Sequence, residues 1–161
     1  MALYCLDTNV FIESKNGPYG FDIVPGFWEW IDRMVQAGYV YSTVTVYSEL
    51  TEGNDELAQW ARDRRDSGLF VDHDERVQSA FHEIANYINT HYDRHHSEAF
   101  LDGADPWVIA QAQTDQATVV TREAVVNTHS RKVKIPNICR VFEVNCIDTF
   151  SMLRNAGASF R

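Results

Sequence analysis

The chain has 161 residues, a formal net charge of −9, and 45% hydrophobic and 12% aromatic residues. That length and composition exclude a disordered chain and predict a single domain over residues 1–161 with one substantial core. No apolar run is long enough for a membrane span, and no basic stretch followed by an apolar one opens the chain. The expectation is therefore a cytoplasmic protein with neither membrane segment nor secretory leader.

Leu3–Leu6 is a short apolar run ending in Asp7-Thr8-Asn9, which predicts a buried strand followed by a polar turn. Asn16-Gly17-Pro18 marks a loop. Phe27, Trp28, Ile31, Met34 and Val35 recur at helical spacing, and Gly38 supplies a stop. Tyr39–Ser42 predicts a second strand. Thr43–Val46 favours strand by β-branched propensity, whereas Ser42 or Thr43 as a cap favours a helix running to Leu50, and the helix is the preferred reading. Glu56–Arg65 predicts a charged surface helix, and Leu69–Val71 a short strand. A long helix follows, with Val77, Phe81, Ile84, Ala85 and Ile88 on one face. Asp105-Pro106 is the clearest helix start, with Asp at the cap and Pro at the first helical position. Thr118–Thr121 predicts a buried strand with Arg122-Glu123 just after it. Ile135-Pro136 opens another helix, Val144–Ile147 predicts a last strand, and Thr149–Asn155 a closing helix.

The alternation of strand and helix implies an α/β fold with a central parallel sheet covered on both faces. In such sheets, sites form outside the carboxyl ends of the strands. Asp7 and Glu123 both follow strand candidates, and Asp105 opens a helix, so acids from distant parts of the chain can converge there. Each also has a bland reading: Asp7 and Asp105 as caps, Glu49 as one exposed helix acid, Glu123 as a turn residue. The charge distribution fits such a site. The chain is acidic up to residue 115, whereas residues 116–161 are net basic, with Arg122, Arg131, Lys132, Lys134 and Arg140. Metal-binding acids beside a phosphate-contacting strip and a merely solvated basic loop are both open readings.

Other features have simpler accounts. Cys5, Cys139 and Cys146 are odd in number without CxxC spacing, as expected of reduced thiols. His91 and His95 are spaced i, i+4 but lack the companion acid of an HExxH motif, so a solvated helix end is expected. Asp102 reads as loop surface. Trp28, Trp30, Trp60 and Trp107 read as packing residues rather than base-stacking platforms.

Cys5-Leu-Asp-Thr-Asn-Val-Phe-Ile, Tyr47-Ser-Glu-Leu, Gly103-Ala-Asp-Pro-Trp-Val-Ile-Ala-Gln-Ala and Val119-Val-Thr-Arg-Glu resemble, in order and spacing, the motifs of PIN-domain proteins. With Lys134-Ile-Pro-Asn-Ile-Cys139, they are similar to an uncharacterised bacterial branch near the VapC-type toxin ribonucleases. The resemblance implies a three-layer α/β/α sandwich and a Mg²⁺- or Mn²⁺-dependent endoribonuclease that cleaves RNA, the toxin of a toxin–antitoxin pair, with a protein antitoxin and a homodimeric state. By position it implies Asp7, Glu49, Asp105 and Glu123 as catalytic metal ligands. Hard divalent cations take carboxylate oxygens, and they relieve the repulsion among clustered acids. Thr8, Asn9 and Thr121 would support those ligands, and Arg122 would contact the substrate phosphate. The family more often has Asp where this chain has Glu123, which is longer by one methylene. The branch often has an acid where this chain has Asn137. A non-catalytic RNA- or protein-binding module on the same scaffold is the alternative. A haloacid-dehalogenase-like phosphatase is a distant third, because Asn9 stands where that chemistry needs a second Asp.

Overall fold

The computed structural model describes residues 2–123 and 130–160. Five strands, β1 (Tyr4–Leu6), β2 (Val40–Thr43), β3 (Phe70–Val71), β4 (Thr118–Val120) and β5 (Cys146–Ile147), form one sheet in the order β3-β2-β1-β4-β5. Every neighbouring pair is parallel. β1 is central, and Cys5, Leu6, Val119 and Val120 are fully buried, as strands covered on both faces must be.

The chain runs outward from β1 through β2 to β3, then crosses back to β4 on the other side of β1. The order therefore reverses between β1 and β4. Their carboxyl ends flank the crevice where ligands bind in open α/β sheets. The register Leu6↔Val120 and the bond from the Asp7 N–H to the Val120 carbonyl, 3.1 Å, bring Asp7 level with Thr121 at that edge.

The connections carry α1 (Thr8–Asn16), α2 (Pro25–Ala37), α3 (Val44–Leu50), α4 (Glu56–Arg62), α5 (Glu75–His91), α6 (Arg94–Leu101), α7 (Asp105–Asp115), α8 (Ile135–Val141) and α9 (Thr149–Asn155). Right-handed crossovers put the β1-to-β3 connections on one face and the returning ones on the other. On the first face α1 packs against α3 and α4, sealed by rings from Phe11, Phe21, Trp28 and Trp60. On the second, α7 lies against β1, β2 and β4, with α5, α6 and α8 around it. α7 buries Val108, Ile109, Ala110, Gln111 and Ala112 in succession, as a helix enclosed on most sides does. The expected α/β/α sandwich with a parallel sheet is the observed fold.

Several local readings resolve in physical terms. Thr43 caps α3, its Oγ1 accepting from the Val46 N–H at 3.3 Å, so the cap prevails over β-branched propensity. Gly38 ends α2 at φ 86°, its N–H bonding the Met34 and Val35 carbonyls. Trp28, Trp30 and Trp60 are core residues, and Trp107 stacks on Phe81 with centroids 3.9 Å apart. The α4 helix stops at Arg62, short of the predicted Arg65. The α6 helix was not read: Asp93 caps it by accepting from the His96 N–H, and Ser97 and Phe100 face inward. The expected cap at Asp105 is corrected, because Ala104 is the cap residue and Asp105 is the first helical one. The last strand is shorter than predicted; Glu143 at φ 56° turns the chain, and pairing begins at Cys146. Among the described residues no helix is long and apolar enough to cross a membrane.

Candidate functional site

Asp7 leaves β1 and caps α1. Its Oδ1 accepts from the Val10 N–H at 3.1 Å, and its Oδ2 accepts from the Thr121 hydroxyl at 2.6 Å. That hydroxyl in turn accepts from the Glu123 N–H at 3.1 Å, so one threonine ties the end of β4 to the end of β1. Asp7 is wholly shielded from solvent. Burial pushes its carboxyl from 3.8 up to about 7; the Thr121 and Val10 bonds and the Asn9 main chain pull it down, while Glu123 pushes it further up.

Asp105 is the first residue of α7, directly after the cap residue Ala104. Its carboxyl is also raised to about 7, first by burial, then by Asp7, Glu123 and Glu49, with Lys134 acting in the opposite sense. Asp105 thus feels the charge of the other three acids. Hydrogen bonds pair these acids: Thr121 bridges Asp7 to the Glu123 main chain, and Glu49 bonds the N–H of Ala104 beside Asp105.

Glu49 reaches the cluster from α3. Its Oε1 accepts from the Thr8 hydroxyl at 2.5 Å and its Oε2 from the Ala104 N–H at 3.1 Å. One carboxylate therefore joins the start of α1 to the start of α7. Gly103 permits this approach, since a Cβ there would stand 3.3 Å from Glu49 Oε2. Glu123 is likewise engaged. Its Oε2 accepts from the Ile135 N–H at 2.8 Å, and Lys134 Nζ lies 3.9 Å from its Oε1. The additional methylene lets this acid span from β4 to the first turn of α8.

The supporting residues divide. Thr8 and Thr121 donate to Glu49 and Asp7, whereas Asn9 acts on Asp7 through its main chain. Arg122 pairs with α1: its Nε donates to Glu13 Oε2 at 2.6 Å and its guanidinium lies 5.4 Å from the Phe150 ring centre. Arg131, Lys132 and Arg140 are exposed. Asp102 sits exposed at the end of α6. His91 bonds the Tyr87 carbonyl and His96 pairs with Asp93, so the histidines stay apart from the acids. The sequence reading missed Lys134 and Gly103 as parts of the site; the Lys-Ile-Pro helix start and the Gly just before Ala104-Asp105 were the available signals.

The donor set suits a hard divalent cation, being all carboxylate and mutually repelling. Among the described residues, no three His, Cys, Asp or Glu side chains are grouped closely enough to hold an ion together. Mg²⁺ usually takes only one or two carboxylates directly, with waters completing its shell.

No curated protein matches the chain in sequence. Among solved structures, the chain is similar to FitAcB from Neisseria gonorrhoeae, with 20% identity, TM-score 0.54, and 90% of this chain and 96% of that one covered. It is similar to VapBC2 from Rickettsia felis bound to a DNA fragment from their promoter, with 15% identity, TM-score 0.56 and coverage of 91% and 98%. A third likeness is to FitAB bound to an IR36 DNA fragment, with 18% identity, TM-score 0.53 and coverage of 91% and 94%. What these chains share with this one is the fold, which is PIN-like. Over residues 4–160 the sequence matches the family described as "Domain of unknown function (DUF4411)", and the chain belongs to that family.

Proposed function

We propose that this chain is a divalent-metal-dependent endoribonuclease, the toxin of a toxin–antitoxin pair acting in the cytoplasm. The observation that carries the reading is Asp7, a carboxylate wholly shielded from solvent between the carboxyl ends of β1 and β4, bridged to the Glu123 main chain by Thr121, while Glu49 bonds the N–H of Ala104 beside Asp105. Gathering like charges in a buried crevice is costly, and a bound cation offsets that cost. Asp7 and Asp105 would hold Mg²⁺ or Mn²⁺ directly, with Glu49 and Glu123 reaching it through water. A cation held by these acids would supply an activated water and charge neutralisation at the leaving oxygen of an RNA phosphodiester.

The chain's own residues do the positioning. Thr121 fixes one oxygen of Asp7 and the Val10 N–H the other, so the carboxylate cannot rotate away. Thr8 and the Ala104 N–H hold Glu49 in the same way. The likeness to FitAB and VapBC2 supports a protein antitoxin as partner, and the homodimeric state is proposed from the motif resemblance alone.

The test is RNA cleavage with Mg²⁺ or Mn²⁺ across a panel of structured RNAs. Wild type should cut and Asp7→Asn should not. Equal inertness of both, or equal cutting by both, refutes the proposal. A second reading, a degenerate RNA- or protein-binding module, is favoured by one observation: Glu49 and Glu123 each already accept a main-chain N–H. Calorimetry separates the two, because a degenerate site shows no Mn²⁺ binding that depends on Asp7 and Asp105.

A further inference from the structure

Four carboxylates in and beneath this crevice repel an approaching polyanion, so a cationic side chain at its edge would favour RNA binding alongside the metal. Arg122, the expected phosphate contact, already pairs through its Nε with Glu13 at 2.6 Å. Lys134 is placed differently. Its ammonium lies 3.9 Å from Glu123 Oε1, beyond hydrogen-bond reach, so its donors are not saturated by that acid. Its side chain is 35% exposed, against 13% for Glu123, which puts the charge at the lip of the cluster. Its charge also acts on Asp105, lowering the carboxyl against the pull of the neighbouring acids.

The backbone under Lys134 is held firmly. Ile135 is fully buried, its N–H is bound by Glu123 Oε2 at 2.8 Å, and Pro136 follows within the first turn of α8. Glu123 therefore acts as a strut that fixes where the lysine emerges, a reach that Asp would lack.

We infer that Lys134 is the side chain that receives the substrate's phosphate oxygens, and that Glu123 positions it. This rests on the ribonuclease reading. A lysine ammonium is a compact point charge that contacts phosphate without demanding the planar geometry of an arginine fork. Such a contact suits a single-stranded backbone presented in varied conformations.

The test is binding of a short fluorescent single-stranded RNA in Ca²⁺, by anisotropy across a salt series. Removing one phosphate contact lowers the slope of log affinity against log salt by ~0.7 for a single strand. Lys134→Met should show that loss with several-fold weaker binding, Lys134→Arg should keep the wild-type slope, and Arg122→Met should leave the slope unchanged. Mn²⁺ calorimetry on the RNA-free protein supplies the second readout. Lys134→Met should bind Mn²⁺ as tightly as wild type or more tightly, because a competing positive charge is gone. Weakened Mn²⁺ binding would mean a collapsed cluster and a structural role only, which overturns the inference. So would a wild-type slope in Lys134→Met while wild type binds RNA, an outcome that leaves the ribonuclease reading standing. If wild type binds no RNA at all, both fall together.

Discussion

Replacing Asp7 with Asn should stabilise the metal-free protein near neutral pH, although it removes a residue of the proposed catalytic cluster. In the fold the Asp7 carboxyl is raised from 3.8 to about 7. Between those two values the unfolded chain has lost the proton and the folded chain has kept it. The unfolded state then binds fewer protons, so stability falls as pH rises through that window. Below 3.8 the acid is protonated in both states and there is no penalty. Above about 7 the full penalty applies. Each tenfold change in proton affinity is ~1.4 kcal/mol, so the interval corresponds to ~4 kcal/mol as an upper bound. Asn keeps an oxygen for the Val10 N–H, and the Thr121 hydroxyl can turn to accept from the new amide. Urea unfolding of both proteins in chelator, from pH 4 to pH 8, is the assay. The curves should converge at the acid end, with Asp7→Asn above wild type by a few kcal/mol at the alkaline end. Mg²⁺ should close that gap by raising wild type alone. A variant less stable than wild type at pH 8, or a gap independent of pH, would refute the reasoning.

Shortening Glu123 to Asp should detach the Ile135 N–H and cost ~1 kcal/mol in unfolding free energy, measured by urea denaturation. Thr8→Val should leave Glu49 with the Ala104 N–H alone and cost ~1–2 kcal/mol in the same assay. Gly38→Ala meets no steric neighbour, so its loss of ~1 kcal/mol should come wholly from φ 86°, with Mn²⁺ binding by calorimetry unchanged. Asp105→Asn should remove Mn²⁺ binding in calorimetry while leaving the far-ultraviolet circular dichroism spectrum that of wild type.

The parts legible in the sequence are those governed by neighbours a few residues apart. The apolar run before Asp7 makes a strand because three consecutive buried residues can be satisfied inside a parallel sheet. Gly38 ends α2 because the left-handed cap needs no side chain. Thr43 starts α3 because its hydroxyl reaches the Val46 N–H. The α6 helix escaped notice because a short break at extended Tyr92 hides it behind α5, and its polar residues obscure the Ser97 and Phe100 face. Asp105 was misplaced by one position because Asp-Pro suits a cap equally well, whereas Glu49 holds the Ala104 N–H and moves the boundary.

Which acids could share a site was therefore readable from their order: Asp7 after the first strand, Asp105 at a helix start and Glu123 after a later strand. What each does there was not, because the deciding bonds join residues far apart in the chain. Thr8 meets Glu49 across 41 positions, Glu49 meets Ala104 across 55, and Thr121 meets Asp7 across 114. The first closes when β2 pairs beside β1, and the last when the strand order reverses between β1 and β4; no local pattern encodes that order. Tertiary structure alone turned Arg122 toward Glu13, made Glu123 the anchor of α8, and left Lys134 as the cation at the edge of the carboxylates.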